Sequence, residues 1–229
     1  MSEWLNAEVV STAPAADGLF HLTLRVPENV AASHTVAGQY VKLQVSGVGE
    51  GFFAIASRPG AHANAFELLL KRGAAVADAI GALNAGNSVL TTSAQGKGFP
   101  IDKAVGHDVV LVATGSGISP IRSALETIVG RRSEFGTVSL YFGARTPQSF
   151  AYREQFDAWR AAKIEVFPVV SRPADTGWTG LTGYVQTHLG GVHIASAVAF
   201  LCGQKAMVEG VKEALAALKM PAENVYLNF

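Results

Sequence analysis

The sequence predicts two domains: an N-terminal antiparallel β-barrel, followed by a C-terminal α/β domain on a doubly wound parallel sheet. Three features of the chain predict this. Short runs in the first half alternate apolar and polar residues with period two. Continuous apolar runs in the second half alternate with helical stripes. Glycine-containing turns stand where two of those runs end.

In the first half, Phe20, Leu22, Leu24 and Val26 alternate with His21, Thr23 and Arg25. From Tyr40 onward, Val41, Leu43 and Val45 share one face. Such alternation marks strands with one buried face. Further strands are expected over Phe52–Ala56, Phe66–Arg72 and Ser88–Thr92, with one short helix over Val76–Leu83. Many short strands around a single helix suit a small barrel or sandwich.

The second half changes rhythm. Asp108–Thr114 (DVVLVAT) reads as a strand buried on both faces, and a helix striped by Ile118, Ile121, Leu125 and Ile128 follows. Then come a strand over Val138–Phe142, a helix over Arg153–Ala162 and a strand over Ile164–Val170. A last unit joins a strand over Ala197–Cys202 to a helix striped by Val208, Val211, Leu215 and Leu218, and a final strand runs over Asn224–Leu227. The rhythm changes between Ile101 and Gly106, which divides the chain into domains 1–103 and 104–229.

Composition narrows the function classes. Of 229 residues, 49% are hydrophobic, enough for a core in each half, and 16% are charged, which argues against long disordered tails. Lys plus Arg and Asp plus Glu are both 18, so no basic face is expected for nucleic acid or a membrane surface. The lone Cys202 excludes a disulfide framework and an iron–sulfur cluster held by this chain alone. It suits a reducing compartment, cytoplasm or plastid stroma. No apolar stretch approaches the roughly 20 residues of a membrane span. The first residues, MSEWLNAEVV, lack a signal-peptide pattern. His21, His34, His62, His107, His188 and His193 show no metal-ligand spacing and are expected mostly at the surface or in turns; Trp159 and Trp178 are expected to pack.

The main chemical motif is the turn Thr114-Gly115-Ser116-Gly117-Ile118-Ser119-Pro120. A strand, a glycine turn and a helix start bring backbone N–H groups and the positive end of a helix dipole to one point, which suits a pyrophosphate. Gly115 and Gly117 permit close approach and unusual φ. Pro120 is tolerated in the first helical turn. The string is not a full GxGxxG, nor a hydrolase elbow. A second turn, Cys202-Gly203-Gln204, ends another buried strand, where ligands of open α/β sheets bind. Cys202 there is either a small core residue or a neighbour of a reacting ring. Arg145 and the pair Ser171-Arg172 follow the intervening strands. Arginines with a hydroxyl, and no acid at those strand ends, favour NADP over NAD.

The order of a strand-rich half, TGSGISP, SRP, LCG and a terminal aromatic resembles the ferredoxin–NADP reductase superfamily, including its plant-type and cytochrome b5 reductase-like members. The likeness runs from about Asn6 to Phe229. It implies an FAD-type barrel and an NAD(P)-type domain, with hydride passing between nicotinamide and flavin N5. It also places YFGARTPQSF near the adenosine, SRPADTGWTGLTGYV near the ribose and its phosphate, and the CG pair near nicotinamide. By that match the cofactor residues include Thr114, Gly115, Ser116, Gly117, Ile118, Pro120, Arg145, Ser171, Arg172 and Gly203, with Cys202 and Phe229 at the reacting rings.

The flavin segment departs from the family pattern. GFFAIAS, Gly51–Ser57, matches a segment that ordinarily reads R-x-Y-S/T at its start. Gly51 stands in place of the arginine on the flavin pyrophosphate, Phe53 in place of the stacking tyrosine, and Ala54 in place of the hydroxyl residue. Phe53 retains an aromatic face. The missing charge-assisted contact is worth about 1.5–3 kcal/mol. Ile55, Ala56 and Ser57 complete the expected flavin segment. Lys71, Arg72, Gly73, Val76 and Ala77 form a second one, where Arg72 and main-chain N–H groups are placed to compensate.

The resemblance thus implies an NAD(P)H-dependent FAD oxidoreductase that exchanges electrons with a carrier protein or a small-molecule acceptor. The losses at Gly51 and Ala54 leave an alternative: a degenerate, non-catalytic NAD(P)-binding module, or a subunit of a larger electron-transfer complex. Electron-transfer subunits of the hydrogenase or dihydroorotate dehydrogenase kind usually carry a cysteine cluster, which Cys202 alone does not make.

Overall fold

The computed structural model describes residues 3–189 and 194–228. His193 and Phe229 lie outside the described residues.

Six strands make the first sheet: β1 (Leu5–Ala16), β2 (Leu19–Arg25), β3 (Tyr40–Val45), β4 (Gly49–Ala54), β5 (Ala65–Lys71) and β6 (Ser88–Thr91). They pair antiparallel in the order β4-β3-β6-β1-β2-β5. The sheet curls on itself: Ile55, just past β4, bridges Leu68 of β5, and the Ala56 N–H donates to the Glu67 carbonyl at 2.7 Å. The two edge strands therefore meet, which protects their unpaired backbone groups. Helix α1 (Glu28–Ala32) and helix α2 (Ala75–Gly81) pack on this barrel-like sheet through Val30, Ala31, Val76, Ala77 and Ile80.

The sequence pattern misses β1, the strand that pairs with both β2 and β6. Its segment LNAEVVSTAPAA has no clean alternation, because its register shifts between Val9 and Ser11 and again between Pro14 and Ala16. Such bulges break period two.

The second sheet is wholly parallel, with β7 (Val109–Thr114), β8 (Val138–Ala144), β9 (Ile164–Val170), β10 (Leu181–Thr182), β11 (Val198–Cys202) and β12 (Val225–Leu227) in the order β10-β9-β8-β7-β11-β12. From β7 the chain steps outward through β8 and β9, then returns to lay β11 on the other side of β7. That reversal is a topological switch point, and the crevice beyond the β7 and β11 carboxyl ends is where such sheets bind ligands. Helix α3 (Ile118–Val129) buries Ile118, Ile121, Leu125 and Ile128 completely, each worth about 1.5–3 kcal/mol of apolar burial.

Helix α4 (Phe156–Ala161) is shorter than the expected Arg153–Ala162. Tyr152 at φ 59° turns the chain left-handed, and Arg153–Gln155 forms a separate tight turn. Helix α5 (Lys205–Ala217) buries Met207, Val208, Val211 and Leu215. Leu218 falls at its C-cap and is exposed rather than on the stripe.

The two sheets share packing. Leu19, Ala56, Leu69 and Phe99 from the first half join Ile118, Ile121, Leu125 and Phe142 in one apolar cluster. Among the histidines, His34 departs from expectation. It is 5% exposed, with its ring edge-on to Phe66.

Candidate active site

The switch point assembles the two glycine turns. Gly117 lies against the Cys202-Gly203 backbone: a Cβ at Gly117 would overlap the Cys202 carbonyl oxygen and stand 2.7 Å from its carbonyl carbon. Gly117 has ordinary helical dihedrals (φ −62°), so its glycine serves close approach alone. Gly115 is the reverse case, at φ +55° with open space where a Cβ would go. A Cβ at Gly203 would strike Thr114 Oγ1 and the Met207 methyl. The Gln204 N–H donates to Thr114 Oγ1 at 3.3 Å, which ties the two turns side by side.

Beyond the turns opens a cavity of about 990 Å³. Thr114, Gly115, Ser116, Gly203 and Gln204 form its floor; Arg145, Ser171 and Arg172, at the ends of β8 and β9, form one wall. The Arg172 N–H donates to the Arg145 carbonyl at 2.8 Å, which sets these two residues together. Lys71 and Arg72 at the end of β5, with the Asp17-Gly18 hairpin, line it as well. Four cations thus face one carboxylate, Asp17, in a cleft whose floor is glycine-rich main chain. Cation-lined clefts focus field on anionic ligands, and arginine forks suit phosphate oxygens. Volume, charge and close-approach glycines fit a dinucleotide.

The Cys202 side chain packs against the cluster shared by both halves, while its neighbours Gly203 and Gln204 line the cavity. Burial pushes its thiol up to about 12, so it stands as a neutral thiol at ordinary pH.

The flavin segment lies on the barrel side of the same seam. Ser119, in the first turn of α3, donates its hydroxyl to the Ala54 carbonyl at 2.9 Å. One helix therefore starts at the nucleotide turn and touches the flavin segment. Phe53 is half-buried and its ring leans over Gly51, where a Cβ would stand 2.9 Å from ring carbons Cε2 and Cζ. The aromatic face suits a flavin ring. Buried Asn228 donates to the Gly38 carbonyl at 3.2 Å, and its Oδ1 has no hydrogen-bond partner among the described residues, which leaves a polar atom for a ligand to satisfy. Ile55, Ala56, Val76 and Ala77 bury their side chains in the cores. The Gly73 N–H already bonds the Asp78 carboxylate, at 3.1 and 3.2 Å. Arg72 stacks on Phe20, 4.9 Å from the ring centroid, and looks into the nucleotide cavity.

Of the sequence-predicted residues, the structure brings Lys71, Arg72, Thr114, Gly115, Ser116, Arg145, Ser171, Arg172 and Gly203 to one cavity, with Gly117 directly behind its floor. Phe53, Ala54, Ser57, Gly73, Val76 and Ala77 do not line it. Residues missed in the sequence also line it: Asp17, Gly18, Gln186 and Met207. Asp17-Gly18 carries a hairpin-turn signal that an unread β1 concealed. Tyr184, in the SRPADTGWTGLTGYV segment expected near the ribose, lines the cavity too and is 66% exposed. Among the described residues no group of His, Cys, Asp and Glu could hold a metal, and no helix is long and apolar enough to cross a membrane.

A six-stranded antiparallel barrel joined to a switch-point dinucleotide cleft defines a two-cofactor oxidoreductase architecture. Comparisons with known proteins agree. The family profile of the oxidoreductase NAD-binding domain matches residues 111–213. The chain is 29% identical to sulfhydrogenase 1 subunit gamma of Pyrococcus furiosus, over 83% of this chain and 66% of that protein, about two thirds of its length. It is 30% identical to fruit protein pKIWI502 of Actinidia deliciosa, over 97% of this chain and 76% of that one. It is 28% identical to ferredoxin–NADP reductase B of Sorangium cellulosum, over 83% of each. A ferredoxin NADP+ reductase from Neisseria gonorrhoeae, solved with bound FAD and NADP, shares the fold at a TM-score of 0.84 and 20% identity, over 99% of this chain and 98% of that one. The chain belongs to the ferredoxin–NADP reductase superfamily. Residues 111–213 match an oxidoreductase NAD-binding domain, and the relatives at 28% identity include proteins named ferredoxin–NADP reductase and NAD(P)H-flavin reductase.

Proposed function

We propose that this chain takes reducing equivalents from NADPH in preference to NADH and delivers them through FAD to a separate electron-carrier protein. The observation that carries the reading is the cavity of about 990 Å³ at the β7–β11 switch point, with its four cations. Gly115, Ser116 and the start of α3 would hold the nucleotide pyrophosphate. Arg145, Ser171 and Arg172 would take the adenosine end and its 2′-phosphate, Tyr184 offering a ring to stack on. Lys71 and Arg72 would close over the phosphates from the barrel side. Phe53 would face the flavin ring, with the main chain of Ala54–Ser57 at its edge. The terminal Phe229 would cover the ring from the other side, by its match to the family's last residue. Bound together, FAD and the nicotinamide would supply hydride-transfer chemistry. Cys202 and Gly203 would border the nicotinamide and restrict its approach. The domains we assign to these roles are 1–103 for flavin and 104–229 for the nucleotide. A single thiol suits a reducing compartment, cytoplasm or plastid stroma.

The test is the visible spectrum of the purified protein with added FAD. A flavin band that bleaches faster with NADPH than with NADH is expected. Protein that stays colourless and takes up no FAD refutes the reading. The lack of polar side chains at Gly51 and Ala54 favours a second reading, a binding module without turnover. Sustained reduction of an artificial acceptor excludes it.

A further inference from the structure

Ser119, Arg122 and Ser123 lie at i, i+3 and i+4 on α3, so one face of the helix presents all three. Each donates to a main-chain carbonyl of the flavin segment. Ser119 Oγ reaches Ala54 at 2.9 Å, Arg122 Nη1 reaches Ala56 at 3.1 Å, and Ser123 Oγ reaches Ser57 at 2.8 Å. The donors are 2%, 7% and 0% exposed. Arg122 is further fixed by Glu67 at 2.8 Å, Glu126 at 2.7 Å and Gln155 at 3.0 Å, and by the Tyr152 ring beneath it, 4.7 Å away.

Apolar contacts already join the two halves here, through Ala56, Leu69, Ile118 and Ile121. Such contacts are non-directional. Buried hydrogen bonds are directional, and each leaves an unsatisfied group if it slips, so three together fix where the segment stands along α3. Neither Gly51 nor Ala54 has a polar side chain, so the segment's place against α3 is set through its main-chain bonds.

We propose that Ser119, Arg122 and Ser123 are positioning residues for hydride transfer. They register the Ala54–Ser57 main chain against the nucleotide turn and so set the spacing of the two reacting rings. The inference rests on the reductase reading above.

The test uses the full chain loaded with FAD. Ser119→Ala is expected to slow flavin reduction about tenfold in a stopped-flow measurement, because small misplacement of reacting atoms is costly in rate. NADP+ affinity should stay within about twofold, since the interaction lost is one that matters to the transition state. The visible circular dichroism of bound FAD should change with it. Arg122→Lys should retain more of the rate than Arg122→Gln. Thr127→Val is the control: this hydroxyl on the same helix donates to the Ser123 carbonyl at 2.8 Å, within α3, and its loss should leave rate and dichroism as they are. Wild-type rate and dichroism in Ser119→Ala overturn the inference, as does an equal loss in Thr127→Val, and either leaves the reductase reading standing. Wild-type protein that binds no FAD, or is not reduced by NAD(P)H, sinks both.

Discussion

Replacing Gly117 by alanine tests the junction of the two glycine turns. The new methyl would overlap the Cys202 carbonyl oxygen, 2.7 Å from its carbonyl carbon and 2.9 Å from the Gly203 Cα. All three are main-chain atoms, so no rotamer change relieves the clash, and the turns must part by roughly 1 Å to reach ordinary van der Waals separation. Overpacking of this kind costs about 1–3 kcal/mol. Gly115→Ala is the internal comparison. Its methyl meets nothing, but its φ of +55° is left-handed, which costs a non-glycine residue about 1–2 kcal/mol. The two variants should therefore separate by assay. Urea unfolding should show both destabilised, whereas calorimetric titration with NADP+ should show the larger disturbance in Gly117→Ala, about tenfold in affinity, because only there do the floor strands move apart. Wild-type stability and wild-type NADP+ affinity in Gly117→Ala would refute the reasoning.

Two further predictions follow from buried titratable groups. Burial lowers His34 from its ordinary 6.5 to about 4, so the folded protein keeps it neutral while the unfolded chain protonates first. Its stabilising share is complete above pH 6.5 and falls as pH drops towards 4, by about 2 kcal/mol at pH 5. Urea unfolding at pH 7.5 and 5 should show a smaller pH loss in His34→Phe than in wild type, and equal losses would contradict the assignment. Cys202, held near 12, should resist iodoacetamide at pH 8 in the native state and react once unfolded. Prompt stoichiometric alkylation of native protein would contradict the raised thiol.

The second half was legible because its signals are local. Asp108–Thr114 is apolar at nearly every position because its strand is covered on both faces, and β7 emerges within a residue of that run. The switch point follows from strand order, which places Ala113 and Cys202 side by side from positions 89 residues apart. The first half was legible only in outline. β1 reads as irregular because it is bulged, and without it the Asp17-Gly18 hairpin and its place on the cavity wall stay hidden. Lys71 and Arg72 illustrate a different limit. Sequence spacing places them at a strand end, but which cofactor they face depends on how the barrel is set against the parallel sheet, and that is decided by long-range contacts such as Arg122 with Glu67.

The same contacts explain how the flavin segment keeps its shape with glycine at 51 and alanine at 54. The Ile55 N–H donates to the Gln39 carbonyl at 2.9 Å, and the Ala56 N–H to the Glu67 carbonyl at 2.7 Å. The carbonyls of Ala54, Ala56 and Ser57 accept from α3. Main-chain groups of this stretch are thus satisfied by β-strand neighbours on one side and by the nucleotide-domain helix on the other. None of these bonds uses the side chain of residue 51 or 54. The segment is thus held through its main chain, while the Phe53 ring lies so close to Gly51 that a Cβ there would stand 2.9 Å from it, so a larger residue at 51 requires the ring to move.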